Sequence, residues 1–192
     1  LSEQTQWQEV QVCFNGGIIM GLFTNFIEPA AGLSGGTKGG IIQIRYAIKT
    51  DVASTSSTSF VDISGLSISI TPTRSDNQIL VTGHITGDGT QATTRANYRV
   101  KRTGGTGTAY PARGDAYGSR TRAILGIYKG ADDNTPVTSG YSFIDDTNTT
   151  SQVTYTWQFS EGNNSSSSVY INRSSSWSDS VAHCTGSSTI IA

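Results

Sequence analysis

The chain has 192 residues, enough for one domain with a sizeable core, and a formal net charge of −1. This balance gives no general attraction to nucleic acid or to an anionic membrane. Only 14% of the residues are charged, whereas Ser and Thr account for 52 residues and Gly for 22. Such a composition is typical of β proteins and excludes a helical bundle, which would be rich in Glu, Lys and Leu.

Residues 1–40 are predicted to form an N-terminal arm that ends in a Gly-rich linker, AAGLSGGTKGG. The apolar run of this arm, GGIIMGLFTNFI at 16–27, is too short to span a bilayer, so we expect no membrane insertion. The run needs cover, either from the chain's own domain or from another subunit. The linker favours another subunit, and the predicted attachment residues are Trp7, Phe14, Ile18, Ile19, Leu22, Phe23 and Phe26.

Residues 41–192 are predicted to form a β-sandwich domain, because short runs of alternating apolar and polar residues recur along them. The first run is expected to point four apolar side chains into the core, namely Ile42, Ile44, Tyr46 and Ile48. A second run does the same with Leu66, Ile68 and Ile70. Further runs lie at 77–86, 94–101, 120–128, 140–144, 152–159, 169–171 and 189–191. We therefore predict an all-β fold, a two-sheet jelly-roll-like β-sandwich with an extended N-terminal arm.

Three of the later runs indicate which side chains face the core. The inward sets are Ala96, Tyr98 and Val100; Ala123, Leu125 and Ile127; and Val153, Tyr155, Trp157 and Phe159. Turn signals separate the runs, at Asp88-Gly89, Gly104-Gly105, Arg113-Gly114-Asp115, Asp132-Asp133-Asn134 and Gly162-Asn163-Asn164.

The longest irregular insert, residues 104–119, is the candidate ligand-binding loop, since long loops on a sandwich often carry binding sites. Its candidate binding residues are Tyr110, Arg113, Asp115 and Tyr117. The alternative is a plain surface connector. The Arg-Gly-Asp triplet inside the loop is too short a match to indicate integrin binding.

Basic side chains cluster on two of the predicted strands. Arg95, Arg99 and Lys101 share one face of a strand, and Arg120 and Arg122 share a face of another. Like charges on adjacent strands need partners. Solvent and scattered acidic groups could serve, or else acidic groups of a neighbouring subunit, which would place Arg95, Arg99, Arg120 and Arg122 in an interface. Tyr98 and Tyr128 are expected to face the core, so we expect no nucleic-acid partner.

No arrangement of residues predicts catalysis, a metal site or a cofactor. His84 stands among apolar residues, where a hydrogen-bonded structural histidine is expected. Asp132-Asp133 and Asp145-Asp146 are adjacent pairs in predicted turns, and adjacent residues of an extended chain point opposite ways. Cys13 and Cys184 could pair or remain free thiols.

Four segments carry a family resemblance: IIQIRYAIKTD at 41–51, STSSTSFVDISGLSISITP at 54–72, NQILV at 77–81 and CTGSSTIIA at 184–192. With them the chain resembles virion proteins of tailed bacteriophages, mostly described as tail-fibre-like. The resemblance implies a jelly-roll-like β-sandwich on the virion exterior, commonly assembled as a trimer. It transfers no catalytic or ligand-binding residue.

The leading hypothesis is a non-enzymatic structural protein of the virion surface, attached by its arm to capsid or tail proteins. Only residues 1–40 precede the sandwich, whereas a fibre tip would follow a long shaft, so we expect a decoration, head-fibre or short tail-appendage protein. The alternative is a receptor-binding fibre tip or a carbohydrate-binding module for host-surface glycans. Its aromatic platform would be Tyr110, Tyr117, Tyr141 and Trp177.

Overall fold

The computed structural model describes residues 41–90, 94–128, 135–162, 167–176 and 185–192. The predicted arm with its seven attachment residues lies outside these ranges, as do Cys184, His183, Trp177 and the pair Asp132-Asp133. Residues Gln43–Ala192 belong to one compact unit. In the described ranges, no helix is long and apolar enough to cross a membrane.

Ten strands build the domain, and the described residues contain no α-helix. The strands are β1 (Tyr46–Lys49), β2 (Ala53–Thr55), β3 (Val61–Ile70), β4 (Gln78–Gly89), β5 (Arg95–Gly104), β6 (Leu125–Tyr128), β7 (Val137–Asp146), β8 (Val153–Glu161), β9 (Val169–Ile171) and β10 (Ser188–Ile191).

Two antiparallel sheets pack face to face. The first sheet contains β1, β10, β4 and β7 in that order, and the second contains β3, β8, β5 and β6. This strand order is that of a jelly roll, in which successive strands mostly lie in opposite sheets, although β5 and β6 pair within the second. The predicted two-sheet, all-β architecture is therefore confirmed.

Two further strands, β2 and β9, extend the first sheet. One edge of β4 pairs with β7, and its other edge pairs first with β10 at Thr82–His84 and then with β9 at Gly87–Gly89. Because β2 pairs with β9 as β1 pairs with β10, β1 and β2 are two halves of one interrupted strand. The same holds for β9, which ends at Ile171, and β10, which begins at Ser188.

Asn172 holds the two interruptions together. This fully buried residue has a left-handed backbone, with φ of 62°, which Asn tolerates better than most residues. Its Nδ2 donates to the carbonyl oxygens of Lys49 and Asp51, at 2.8 and 3.0 Å, across the gap between β1 and β2. Its Oδ1 accepts a hydrogen bond from Ser188 Oγ at 2.7 Å. Three of the four hydrogen bonds that a side-chain amide can make thus fix the break in both strands.

The core lies between the sheets and is built from alternate residues of each strand. The inward predictions for β3, β5 and β8 are confirmed, with Trp157, Tyr98 and Leu66 fully buried. Trp157 also donates from Nε1 to Tyr141 Oη at 3.1 Å, and the two rings meet edge to face with centroids 4.5 Å apart. This polar contact satisfies the indole inside an apolar core.

The prediction for the first run was wrong, since its isoleucines and tyrosine point outward. Ile44, Tyr46 and Ile48 are each more than half exposed, and Ile42 is exposed as well. The register explains the reversal: Ala47 pairs with Ile190, whose side chain is fully buried, so Ala47 packs on the core and its neighbours face out.

Other predictions need correction too. Asp88-Gly89 is not a turn but the end of β4, where Asp88 is buried and accepts a hydrogen bond from the Ser175 amide at 2.6 Å. Asp145-Asp146 ends β7 rather than forming a turn. Tyr128 is exposed, whereas Tyr141 is buried and cannot belong to an exposed aromatic platform. The strands β4 and β7 are thus longer than expected, and Tyr128 of β6 and Tyr141 of β7 face the opposite side from the expected one. The strand predicted at 120–128 begins only at Leu125, so Arg120 and Arg122 do not share a strand face.

Candidate functional site

The outer face of the second sheet is mostly polar, because the outward positions of β3, β8 and β5 carry hydroxyl, amide and charged groups. Three cross-strand rows run over β3, β8 and β5: Asp62–Gln158–Arg99, Ser67–Thr156–Lys101 and Ser69–Thr154–Thr103. Hydroxyls meet across two of these rows, with Ser67 Oγ 3.0 Å from Thr156 Oγ1 and Ser69 Oγ 2.8 Å from Thr154 Oγ1. The face therefore presents many groups that hydrogen-bond to hydroxylated ligands.

Arg99 occupies the centre of this face and is held between two aromatic rings. Its guanidinium carbon lies 3.8 Å from the centre of the Phe60 ring and 4.0 Å from that of Tyr110. Its Nε donates to Gln158 Oε1 at 2.8 Å. Desolvation by the rings lowers the pKa of Arg99, as does the nearby charge of Arg113, against an opposing effect of Tyr110. The guanidinium is thus fixed in one position by stacking and by a hydrogen bond.

The predicted binding loop folds back onto β5, which explains how Tyr110 reaches Arg99. Backbone hydrogen bonds in both directions, each of 2.9 Å, join Arg102 to Ala109. Further along, Gly114 N donates to the Ala123 carbonyl at 3.1 Å, and Arg122 Nε donates to the Gly114 carbonyl at 2.7 Å. The bonds of Ala109, together with one of 2.8 Å from Ile124 N to the Tyr98 carbonyl, tie residues 105–124 to β5, and the bonds of Gly114 join two parts of this segment to each other.

Three tyrosine rings on this side, of which Tyr110 is half-buried and the others are exposed, each lie near an arginine guanidinium. Arg113 lies 5.1 Å from the centre of the Tyr110 ring and Arg120 lies 5.0 Å from that of Tyr117. Arg95 lies 5.9 Å from the centre of the Tyr128 ring. We call the four residues Arg95, Arg99, Arg113 and Arg120, with their rings, the arginine–aromatic cluster.

The structure thus brings together some of the residues that the sequence singled out and separates others. Tyr110 and Arg113 join Arg99, whereas Tyr117 pairs with Arg120 and Asp115 is simply exposed. Sequence reasoning missed Phe60 and Gln158. No signal marked them, because their contact with Arg99 depends on strand register and on the path of the loop.

Asp62 supplies the nearest negative charge on this face. It accepts hydrogen bonds from Lys101 Nζ at 2.7 and 2.8 Å and from Gln158 Nε2 at 2.6 Å. Partial burial opposes ionisation of Asp62, but the bonds from Lys101 and Gln158 outweigh it and its pKa is lowered. Lys101 therefore has an acidic partner within its own chain. An interface role for Arg95, Arg99, Arg120 and Arg122 stays a prediction.

The outer face of the first sheet is chemically different. Five apolar side chains project from its outward positions with 38% to 63% of their surface exposed: Tyr46, Ile48, Leu80, Ile144 and Ile191. Leu80 lies directly opposite Ile144, and Tyr46 directly opposite Ile191. We call these five residues the apolar face. Between them, His84 Nδ1 lies 3.0 Å from Thr189 Oγ1, the hydrogen-bonded environment that the sequence predicted.

A buried ion pair joins the two sheets. Arg102 Nη1 donates to both carboxylate oxygens of Asp145, each at 3.0 Å, and Tyr155 Oη donates to Asp145 Oδ2 at 2.8 Å. Burial raises the pKa of Tyr155, and the adjacent Asp145 raises it further. This carboxylate is fully engaged in structural contacts. Over the described ranges, no three His, Cys, Asp or Glu side chains lie close enough together to hold a metal ion.

The comparisons with known proteins give the following. No family model and no curated protein matches the chain. Two similar solved structures carry the titles "Structure of infectious bursal disease virus Gt strain" and "Structure of infectious bursal disease virus Gx strain". Both matched chains are 11% identical over 78% of this chain, with TM-scores of 0.43 and 0.37. The match covers only 32% and 36% of those chains, about a third of their length.

Proposed function

We propose that this chain is a non-enzymatic structural protein of a bacteriophage virion exterior, of the capsid-decoration, head-fibre or short tail-appendage kind. The resemblance to tailed-phage virion proteins supports the proposal, and its segments coincide with β1, β3, the start of β4 and β10. Those strands belong to both sheets, so the shared pattern accounts for the sandwich framework and not for one local element.

The observation that carries the proposal is the apolar face of the first sheet. A sheet whose outer face meets water normally carries polar residues there, whereas Leu80, Ile144 and Tyr46 project from this one. Exposed apolar patches of this kind mark surfaces that bind other proteins. In a structural protein, neighbouring subunits would cover such a face.

We propose that other copies of the chain cover the apolar face, in a homotrimer. Its five side chains are uncharged, so identical faces can meet around a symmetry axis without bringing like charges together. The arm, residues 1–40, then remains to attach the assembly to capsid or tail proteins, through the apolar residues predicted above.

Labelling of intact particles tests the virion role. Antibodies raised against residues 41–192 are applied to purified particles of the phage that encodes the chain, before and after the particles are disrupted. Labelling of intact particles is the expected result. Detection only after disruption contradicts an exterior location, and absence from both samples contradicts a virion role.

Deletion of residues 1–35 tests attachment by the arm. Particles that carry the shortened chain are expected to lack it, because the sandwich no longer has its attachment segment. Circular dichroism of the purified shortened chain serves as the folding control. Incorporation at the normal copy number would contradict attachment through the arm.

A second candidate function, recognition of host-surface carbohydrate, is favoured by one observation. The outer face of the second sheet combines rows of hydroxyl groups with the arginine–aromatic cluster. The two functions are compatible, since a virion protein can also bind glycan. A glycan array without hits at high protein concentration contradicts this candidate.

A further inference from the structure

We infer that the outer face of the second sheet, with residues 105–124, binds an acidic polysaccharide through the guanidinium groups of the arginine–aromatic cluster. This inference deepens the carbohydrate-binding candidate and rests on it, but it does not depend on a location in a virion. Three features of this face indicate the ligand class: its basic charge, the arginines that lie against its aromatic rings, and its rows of hydroxyl groups.

The charge of the molecule is unevenly distributed. The whole chain has 13 basic and 14 acidic residues. In the part of the chain that the structure describes, six basic residues lie at outward positions of β5 or in residues 105–124, namely Arg95, Arg99, Lys101, Arg113, Arg120 and Arg122. Asp62 and Asp115 accompany them, and Asp62 is already bonded to Lys101. Among the described residues, no ion pair joins Arg95, Arg113 or Arg120 to a carboxylate. An anionic ligand would supply the missing charge.

The aromatic rings of this side hold arginines in place, although Tyr117 and Tyr128 also keep 72% and 60% of their surface exposed. Arg99 and Arg113 both lie against Tyr110, and Arg120 lies against Tyr117. A guanidinium stacked on a ring keeps its in-plane N–H groups available, and these match a carboxylate or sulfate by two parallel hydrogen bonds. Proteins that bind single-stranded nucleic acid instead stack bases on free ring faces. Of the rings on this side, only Tyr117 and Tyr128 keep such an exposed face, so charge pairing rather than base stacking dominates the surface and favours an acidic polysaccharide over nucleic acid.

The hydroxyl rows supply the second half of the recognition. Ser67 with Thr156, and Ser69 with Thr154, form two exposed or half-exposed pairs beside Lys101 and Thr103. Hydroxyl groups both donate and accept, so they exchange readily between each other and the hydroxyls of a sugar ring. A polymer that alternates hydroxyls with carboxylates or sulfates matches both parts of this surface.

Binding to four polymers of matched length tests the inference, measured by biolayer interferometry with the full chain. The polymers are polygalacturonate, dextran sulfate, unmodified dextran and single-stranded DNA. We expect binding to one or both acidic polysaccharides, no binding to dextran, and an affinity that falls as salt rises. Comparison of polygalacturonate with dextran sulfate separates a preference for carboxylate from one for sulfate.

Variants assign the binding to the cluster. R113A/R120A is expected to weaken binding at least tenfold, whereas R113K/R120K should recover it only in part because an ammonium lacks the planar fork. R74A is the matched control, since Arg74 is exposed but bonds to Asp76 on a turn outside this face. Thermal unfolding and solution mass show whether the variants keep their fold and assembly.

Tighter binding to single-stranded DNA than to either acidic polysaccharide would overturn the inference. So would unchanged binding by R113A/R120A, full affinity in R113K/R120K, or a changed solution mass in R113A/R120A. The last would show that the face is a subunit contact. Binding to dextran as strong as to its sulfate leaves the carbohydrate candidate in place but removes the acidic ligand. Absence of binding to every polysaccharide removes both.

Discussion

At the scale of single residues, Asn172 joins the interrupted strands of the first sheet. It directly follows β9, and its side chain hydrogen-bonds to the carbonyls of Lys49 and Asp51 and to Ser188 Oγ. Its amide N donates to the Thr86 carbonyl at 2.9 Å, and its carbonyl accepts from Gly186 N at 3.0 Å. The backbone and side chain of this one buried residue thus supply hydrogen-bond partners to the backbone groups of Lys49, Asp51, Thr86 and Gly186.

We expect N172D to lower the free energy of unfolding by about 3 kcal/mol, since a buried carboxylate cannot donate to the carbonyls of Lys49 and Asp51 and faces their oxygens instead. Urea denaturation measures the change. N148D is the control, because Asn148 also has a positive φ, of 51°, but is exposed. Its cost should stay below about 0.5 kcal/mol. Equal losses in the two variants would contradict the role given to Asn172.

Asp62 gives the stability of the domain a dependence on pH. Its pKa is lowered in the folded state, so the stabilisation is complete above the ordinary pKa of Asp and is lost as the pH falls through the folded value. We expect the difference in unfolding free energy between wild type and D62N to be constant above about pH 5 and to shrink below about pH 4. A difference that stays constant down to pH 2 would refute this assignment. D115N, at an exposed loop position, serves as the control.

At the scale of elements, the contact of Arg102, Asp145 and Tyr155 fastens β7 of the first sheet to β5 and β8 of the second. Both charged side chains are buried, so the energetic balance between their attraction and their lost hydration is delicate. Removal of one charge leaves the other without compensation inside the protein. Removal of both charges leaves only the Tyr155 hydroxyl to lose its hydrogen-bond partner.

We expect D145L to destabilise the domain by about 3–5 kcal/mol, and R102L/D145L to restore most of that loss. Y155F, which removes a single hydrogen bond to Asp145, should cost about 1 kcal/mol. Chemical denaturation of the four proteins measures these values. A double variant as unstable as D145L would show that Arg102 and Asp145 do not act as a pair.

The alternation of apolar and polar residues correctly predicted which side of a strand faces the core only where the outward positions are polar. For β3, β5 and β8 the residues between the apolar ones are Ser, Thr, Arg, Lys and Gln, so the core side was evident from the sequence. For β1 the same rule failed, because Ala47 and Lys49 face inward while Tyr46 and Ile48 face out. Alternation finds a strand, but it identifies the core side only when the other side meets water.

The candidate surfaces were predictable only in part, for a related reason. Tyr110 and Arg113 drew attention as aromatic and charged residues on a long loop, and Arg99 as one of a basic set on a strand. That these groups meet depends on the hydrogen bonds between Arg102 and Ala109, which no local pattern encodes. Gln158 lies opposite Arg99 through the register of β5 and β8, which links residues 59 positions apart.

At the scale of the whole molecule, the two outer faces of the sandwich have opposite character. The first sheet presents the uncharged apolar face, and the second presents hydroxyl groups and the arginine–aromatic cluster. We therefore propose that assembly uses one face and that ligand binding uses the other. The two roles should be separable by substitution, since no residue is common to both surfaces.

The most direct test of this account is the solution mass of the chain by light scattering. We predict a mass of three times 20.3 kDa for the wild type and of one chain for L80E/I144K, whose new charges face each other across β4 and β7 and so remain paired in the free subunit. S69K, on the opposite face of the sandwich, should keep the trimeric mass. A wild-type chain with the mass of one copy at micromolar concentration, or a variant that retains the trimer, would contradict the assembly role of the apolar face.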